Sequence, residues 1–131
     1  MSRVNDVRIG LLGLGTVGAG VVKILQTRRA MLEERAGARL TLAGIADTDL
    51  TRPREGLDLK SLPLTADAAQ VLGAPNVHIV IELVGGLEPA RTFILRALTA
   101  GQHVVTANKA LLAHHGAELY EEARRAGVSL G

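Results

Sequence analysis

The chain has no cysteine and no tryptophan, and Phe93 and Tyr120 are its only aromatic rings apart from histidine. Without cysteine there is no disulfide framework, thiol nucleophile or thiolate metal site. The scarcity of aromatics removes the stacking platforms on which single-stranded nucleic acids are held. No apolar run is long enough to cross a bilayer, and the opening residues Met1 to Asp6 lack the apolar stretch of a secretion signal, so a membrane-free, cytoplasmic protein is expected. The net charge is only +2, and the basic pairs Arg28-Arg29, Arg52/Arg54 and Arg124-Arg125 are offset by acids such as Glu33, Glu34, Glu121 and Glu122. That pattern reads as a solvated surface and not as a nucleic-acid patch. His78, His103, His114 and His115 have no partners at a recognised metal-ligand spacing, so no metal site is expected.

What remains is aliphatic. Hydrophobic residues make up 47% of the 131-residue chain, and there are 15 glycines. A single domain spanning residues 1–131 with a core of Leu, Val, Ile and Ala suits buried parallel strands covered by helices. The most informative segment is Val7 to Gly18, an apolar strand that runs into Gly13-Leu14-Gly15-Thr16-Val17-Gly18 and then into a helix carrying Val17, Val21, Val22 and Leu25 on one side. In a Gly-x-Gly-x-x-Gly turn of this kind the first glycine makes the bend. The second lets a pyrophosphate approach the backbone, and the third lets the helix pack on the sheet. The free N–H groups of the first helical turn, with the helix dipole, suit a phosphate anion. Gly13, Gly15, Thr16, Val17 and Gly18 are therefore the candidate dinucleotide-binding turn.

Further along, the pattern predicts a helix from Thr16 to about Glu34, a strand over Ala38–Ala46, and an irregular stretch from Asp47 to Leu64. It then predicts a short helix from Thr65 to Leu72 capped by Thr65 or Asp67, and a strand from Val77 to Val84 ending at Gly85-Gly86. A helix with the stripe Ala90, Phe93, Ile94, Ala97 and Leu98 starts at Pro89 and stops at Gly101. A strand from His103 to Ala107, a helix from Lys109 to Ala126 ended by Gly127, and the start of a strand at Val128 complete the chain. This alternation predicts an α/β fold of the Rossmann type, a doubly wound, mostly parallel sheet with helices on both faces. The late strand has barely begun when the chain stops, so a domain cut at its boundary is expected.

An acid at the end of the second strand normally accepts hydrogen bonds from the adenosine ribose and favours NAD. Asp47, followed by Thr48, is the candidate, though it lies further from Gly18 than the usual spacing of about 20 residues. A turn-forming acid is the alternative. Arg52 and Arg54, on a flexible loop, offer a partner for the 2′-phosphate of NADP, so NAD is preferred and NADP stays open.

At Gly13 to Gly18, Ile81-Glu82-Leu83-Val84-Gly85-Gly86 and Thr106-Ala107-Asn108-Lys109-Ala110-Leu111-Leu112-Ala113 the chain closely resembles homoserine dehydrogenase, and the likeness extends to Ile45-Ala46-Asp47 and Glu88-Pro89-Ala90. The resemblance implies interconversion of L-homoserine and L-aspartate 4-semialdehyde with NAD(P), in the route to threonine, methionine and isoleucine. It also implies a substrate and dimerisation domain after the nucleotide-binding one, which would supply further catalytic groups and make the full-length enzyme an oligomer. Two departures stand out. Thr48 occupies a position that is often basic in the family, which favours NAD, and the second domain lies outside these 131 residues, so the chain alone is expected to bind cofactor without turnover.

Val84, Gly85 and Gly86 are implied by the resemblance to line the nicotinamide ribose, and Thr106, Ala107 and Asn108 to contact the cofactor. Two glycines after a strand are equally the mark of a flexible turn. Glu82, inside an apolar strand, must be paired or lie at the mouth of the site. Lys109 opens a helix, where positive charge is disfavoured. The resemblance assigns it a catalytic role, exchanging a proton with the substrate hydroxyl or polarising its carbonyl during hydride transfer; a solvated lysine is the alternative. The rival functions are a non-catalytic NAD(H)-sensing module and another two-domain reductase acting on a different small aldehyde or acid.

Overall fold

The strand β1 (Asn5–Leu12) lies at the centre of a five-stranded sheet in the computed structural model, which describes residues 5–131; residues 1–4, part of the opening read above for a targeting segment, lie outside the described residues. β2 (Ala38–Ala46) pairs with one edge of β1 and β4 (Ile79–Glu82) with the other. β3 (Leu64–Thr65) extends the sheet beyond β2, and β5 (His103–Thr106) extends it beyond β4. The order is β3-β2-β1-β4-β5 and every pairing is parallel. Leu130 adds a parallel bridge to Val104 at the outer edge of β5.

Successive strand residues face opposite sides, and both sides are apolar because both are covered. Leu11 and Ile45 face α1 (Thr16–Thr27), where they pack with Ala19 and Val22. Leu12, Ala46, Val80 and Val104 face the other way, into a larger cluster with α3 (Ala90–Thr99) and α4 (Lys109–Ala126). The predicted stripe of α3 is the buried one, with Ala90, Ile94, Ala97 and Leu98 all fully enclosed. Each such leucine or isoleucine contributes about 1.5–3 kcal/mol relative to an exposed side chain. The bidentate pair Arg91–Glu118, with both N···O distances 2.7 Å, joins α3 to α4 at the surface.

Several elements differ from the sequence expectation. The first helix is two helices, α1 and α2 (Arg29–Ala36), broken at Arg28. α2 buries no residue, so no apolar stripe holds it in line with α1; it is tied down instead by Arg29 donating to the Leu40 carbonyl and Glu33 accepting from the Leu40 N–H. The expected helix over 65–72 is a two-residue strand, β3, followed by a 3-10 turn at Ala68–Gln70. The edge of β2 takes the backbone first, as Ile45 and Asp47 donate to Pro63 and Thr65. Asp67 is the cap, accepting from the Ala69 N–H at 2.9 Å. The strand predicted over 77–84 is shorter as β4, although His78 and Leu83 still donate to β1 at its two ends.

The third glycine of the turn serves this packing. A Cβ at Gly18 would overlap the carbonyl oxygen of Gly13, whereas a Cβ at Gly15 would meet nothing. Gly18→Ala is therefore expected to cost about 1–3 kcal/mol of stability, while Gly15→Ala, at a helix N-cap in extended conformation, costs at most about 1 kcal/mol; urea unfolding of the two variants measures the difference.

Candidate cofactor site

The chain order reverses between β1 and β4, and in open parallel sheets a ligand crevice opens at the carboxyl ends of such a pair. There β1 ends at Leu12 and turns through Gly13, whose N–H donates to the Ala46 carbonyl at 2.8 Å. Gly13 has φ +99°, and a Cβ on it would stand 2.9 Å from the Leu83 carbonyl oxygen, so this bend admits glycine only. Gly15 is the N-cap of α1 with no side chain capping the first turn, which leaves that turn's N–H groups without a side-chain partner at the end of the crevice where Gly15 lies. Such a start, with open space at Gly15, suits an anion.

Asp47 follows β2 and binds the same turn. Its Oδ2 accepts from the Leu14 N–H at 2.7 Å and its Oδ1 from the Asp49 N–H at 2.8 Å. Arg54 locks the other side. Its Nε donates to the Leu14 carbonyl at 3.0 Å, Nη1 to Arg52 at 2.7 Å and Nη2 to Asp49 at 2.6 Å, and Nη2 stands 3.6 Å from Asp47 Oδ1. This corrects the sequence expectation: Arg54 is buried and each of its three guanidinium nitrogens donates to a backbone carbonyl, so it is not free to swing onto a phosphate. Arg52 is exposed and makes one longer bond, 3.3 Å, to the Leu14 carbonyl. Asp49 accepts from the N–H groups of Arg52 and Thr51, and these, with the nearby guanidinium groups, hold its carboxyl below the usual range.

Two clefts lie at the crevice. The first, about 330 Å³, is lined by Gly13, Gly15, Asp47, Thr48 and Val84, together with Ala66, Ala68, Pro89 and Phe93. The second, about 250 Å³, is lined by Val17, Glu82, Leu83, Gly85, Ala107, Asn108 and Lys109. Asp47 and Lys109 therefore belong to different clefts. Thr16, Gly18, Gly86 and Thr106 line neither: Thr16 is exposed, Gly18 packs on Gly13, and Gly86 and Thr106 act through hydrogen bonds. Ala66 and Ala68 were not singled out from the sequence, since short apolar side chains of this kind carry no motif, and Phe93 was read there only as part of the apolar stripe of its helix.

In the second cleft Gly85 and Gly86 turn away from β4 with φ of +80° and +70°. Asn108 caps α4 by accepting from the Leu111 N–H at 3.1 Å, and its Nδ2 donates to the Gly86 carbonyl at 2.6 Å. Thr106 Oγ1 accepts from the Asn108 N–H at 3.0 Å and donates to Glu82 Oε1 at 2.6 Å. Lys109, the first residue of α4, is exposed, and no ion pair involves it among the described residues. His78 and His103 lie at the opposite end of the sheet, where their Nδ1 atoms accept from the N–H groups of Arg8 and Ser129. Among the described residues no cluster of three or more metal-ligating side chains occurs, and no helix is long and apolar enough to cross a membrane.

A glycine turn with free helical N–H groups at the switch point of a parallel sheet, flanked by clefts on both sides, defines a dinucleotide-binding domain of the Rossmann type. Residues 13–130 match the family described as "Homoserine dehydrogenase, NAD binding domain", and the chain belongs to that family. It is 43% identical to a homoserine dehydrogenase of Bacillus subtilis over 124 residues and 45% identical to that of Corynebacterium glutamicum over 126. These matches cover 95% and 96% of this chain but only 28% of either relative. The crystal structure of a homoserine dehydrogenase from Thiobacillus denitrificans superposes with a TM-score of 0.89 at 39% identity, covering 97% of this chain and 29% of that one. NAD(P) is thus the cofactor class of the domain.

Arg54→Met keeps the length of the side chain, strips the carbonyls of Arg52 and Asp49 of their side-chain donor, and leaves the Leu14 carbonyl only the longer bond from Arg52. It is expected to lower stability by about 2–4 kcal/mol, whereas Arg52→Met should stay within about 0.5 kcal/mol; chemical denaturation of each variant is the measurement.

Proposed function

We propose that this chain binds NAD in preference to NADP, as the nucleotide-binding part of an enzyme that transfers hydride between NAD(P)(H) and L-homoserine or L-aspartate 4-semialdehyde. The supporting observation is the position of Lys109, which shares a cleft with Gly85 and Asn108 beside the glycine turn. In this reading residues 1–131 are the NAD(P)-binding domain, and a substrate and dimerisation domain completes a cytoplasmic homo-oligomeric enzyme of amino-acid biosynthesis. The turn Gly13–Gly18 takes the pyrophosphate on its N–H groups, and Asp47 and Thr48 face the adenosine ribose. Val84, Gly85, Gly86, Thr106, Ala107 and Asn108 shape the nicotinamide end.

The bound dinucleotide supplies or accepts the hydride. Lys109 directs Nζ toward the substrate oxygen, holding the carbonyl polarised in one direction and exchanging the hydroxyl proton in the other. The first cleft supports a preference for NAD. Asp47 has lone pairs left for ribose hydroxyls and would repel a 2′-phosphate, Thr48 brings no charge, and Arg54 is occupied.

Calorimetric titration of this chain with NAD and NADP is the direct test: saturable NAD binding with weaker NADP binding is expected, and binding of neither overturns the reading. Asp47→Ala should weaken NAD about tenfold and NADP less. Equal losses would confine Asp47 to holding Leu14. In the full-length enzyme Lys109→Ala should abolish turnover while the cofactor affinity of this chain stays nearly intact, and retained turnover would remove Lys109 from the chemistry.

A further inference from the structure

Glu82 borders the second cleft yet is buried, and among the described residues no cation lies within ion-pair distance of it. A buried carboxylate is costly unless it is paired or hydrogen-bonded, and an apolar side chain would serve strand packing better. Both its oxygens are nonetheless used, Oε1 by the Thr106 hydroxyl at 2.6 Å and Oε2 by the Gly85 N–H at 3.0 Å. The Thr106 oxygen in turn accepts from the Asn108 N–H, and Asn108 Nδ2 reaches the Gly86 carbonyl. The circuit closes: Glu82 holds the loop after β4 at Gly85 and, through Thr106 and Asn108, holds the loop after β5 against the same two glycines. These loops supply Gly85, Ala107, Asn108 and Lys109 to the second cleft.

We propose that Glu82 is a positioning residue for the nicotinamide half of the cofactor, fixing the Gly85–Gly86 turn against the Thr106–Lys109 segment so that the second cleft keeps its shape. The proposal rests on the dinucleotide reading above. Its chemistry is a matter of counting hydrogens. An ionised carboxylate offers acceptors to two donors and brings no proton of its own. An amide in its place can accept from Gly85, but its NH2 then faces the Thr106 hydroxyl as a donor; the Thr106 oxygen can take it on its second lone pair beside the Asn108 N–H, and the hydroxyl proton is left without its acceptor. Glu82→Gln therefore loosens the circuit with almost no change in size.

The test compares NADH with ADP-ribose, which lacks the nicotinamide and its capacity to fill the second cleft, in calorimetric titrations of this chain. Glu82→Gln should lower NADH affinity about tenfold and leave ADP-ribose within about twofold of the unsubstituted chain. Equal loss for both ligands would show a general structural effect, and no loss would show that the loops hold without Glu82; either overturns the proposal. If circular dichroism shows Glu82→Gln unfolded, Thr106→Val removes the same bond from the other side and should give the same split, and unfolding of both variants would assign Glu82 to the fold alone. An unsubstituted chain that binds neither ligand overturns the dinucleotide reading and this proposal with it, whereas binding of both ligands with an unchanged ratio in the variant overturns the proposal only.

Discussion

β1 gives its hydrogen bonds to β2 along one edge and to β4 along the other, and the site depends on where these two ladders end. In the parallel register Leu12 stands level with Ala46 on one side and with Glu82 on the other, and Glu82 is level with Thr106. Three strands thus release their chains at one height around the central one. The chain leaving β1 must bend at once, because Ala46 and Leu83 already crowd Gly13. The bend strands the N–H and carbonyl of Leu14 away from any ladder. Buried backbone groups need partners, and Asp47 and Arg54 provide them from the next loop. The clamp at the first cleft is thus a consequence of how the sheet ends.

The two sides of the turn meet the same need with opposite means. At the first cleft a buried guanidinium gathers carbonyls, with an aspartate close enough to balance its charge. At the second a buried carboxylate gathers a hydroxyl and a backbone N–H, and an asparagine carries the connection onward to Gly86. Loops after parallel strands have few backbone partners of their own, so side chains with several donors or acceptors stand in for a missing ladder.

Elements bounded by local chemistry were legible in the sequence. β2 and α4 run over the residues expected, and Gly127 takes the left-handed conformation where its helix was expected to stop. The glycine turn was legible for the same reason, since its requirements are met within six residues. The break at Arg28 was hidden because α2 is held by Arg29 and Glu33 reaching across to Leu40, and not by a stripe of its own. Arg54 read as mobile because a basic residue in a Pro- and Gly-containing loop has no local reason to be buried, and its partner Leu14 is distant in sequence. Glu82 left its role open for the same reason: a strand pattern shows that a carboxylate is enclosed, and only the register shows that Thr106 is beside it. Gln102, which joins Val71, Gly73 and Val77 from just before β5, gave no signal either.

The loop from Asp47 to Arg54 contains no regular element, yet its polar groups are largely spoken for before any ligand arrives. Association ordinarily loses free energy to the ordering of mobile loops and side chains at the contact. Here that entropy is lost once, during folding, when the buried arginine draws the loop onto the turn. A ligand entering the first cleft meets preorganised walls, and the conformational cost of capture falls chiefly on the ligand's own rotatable bonds.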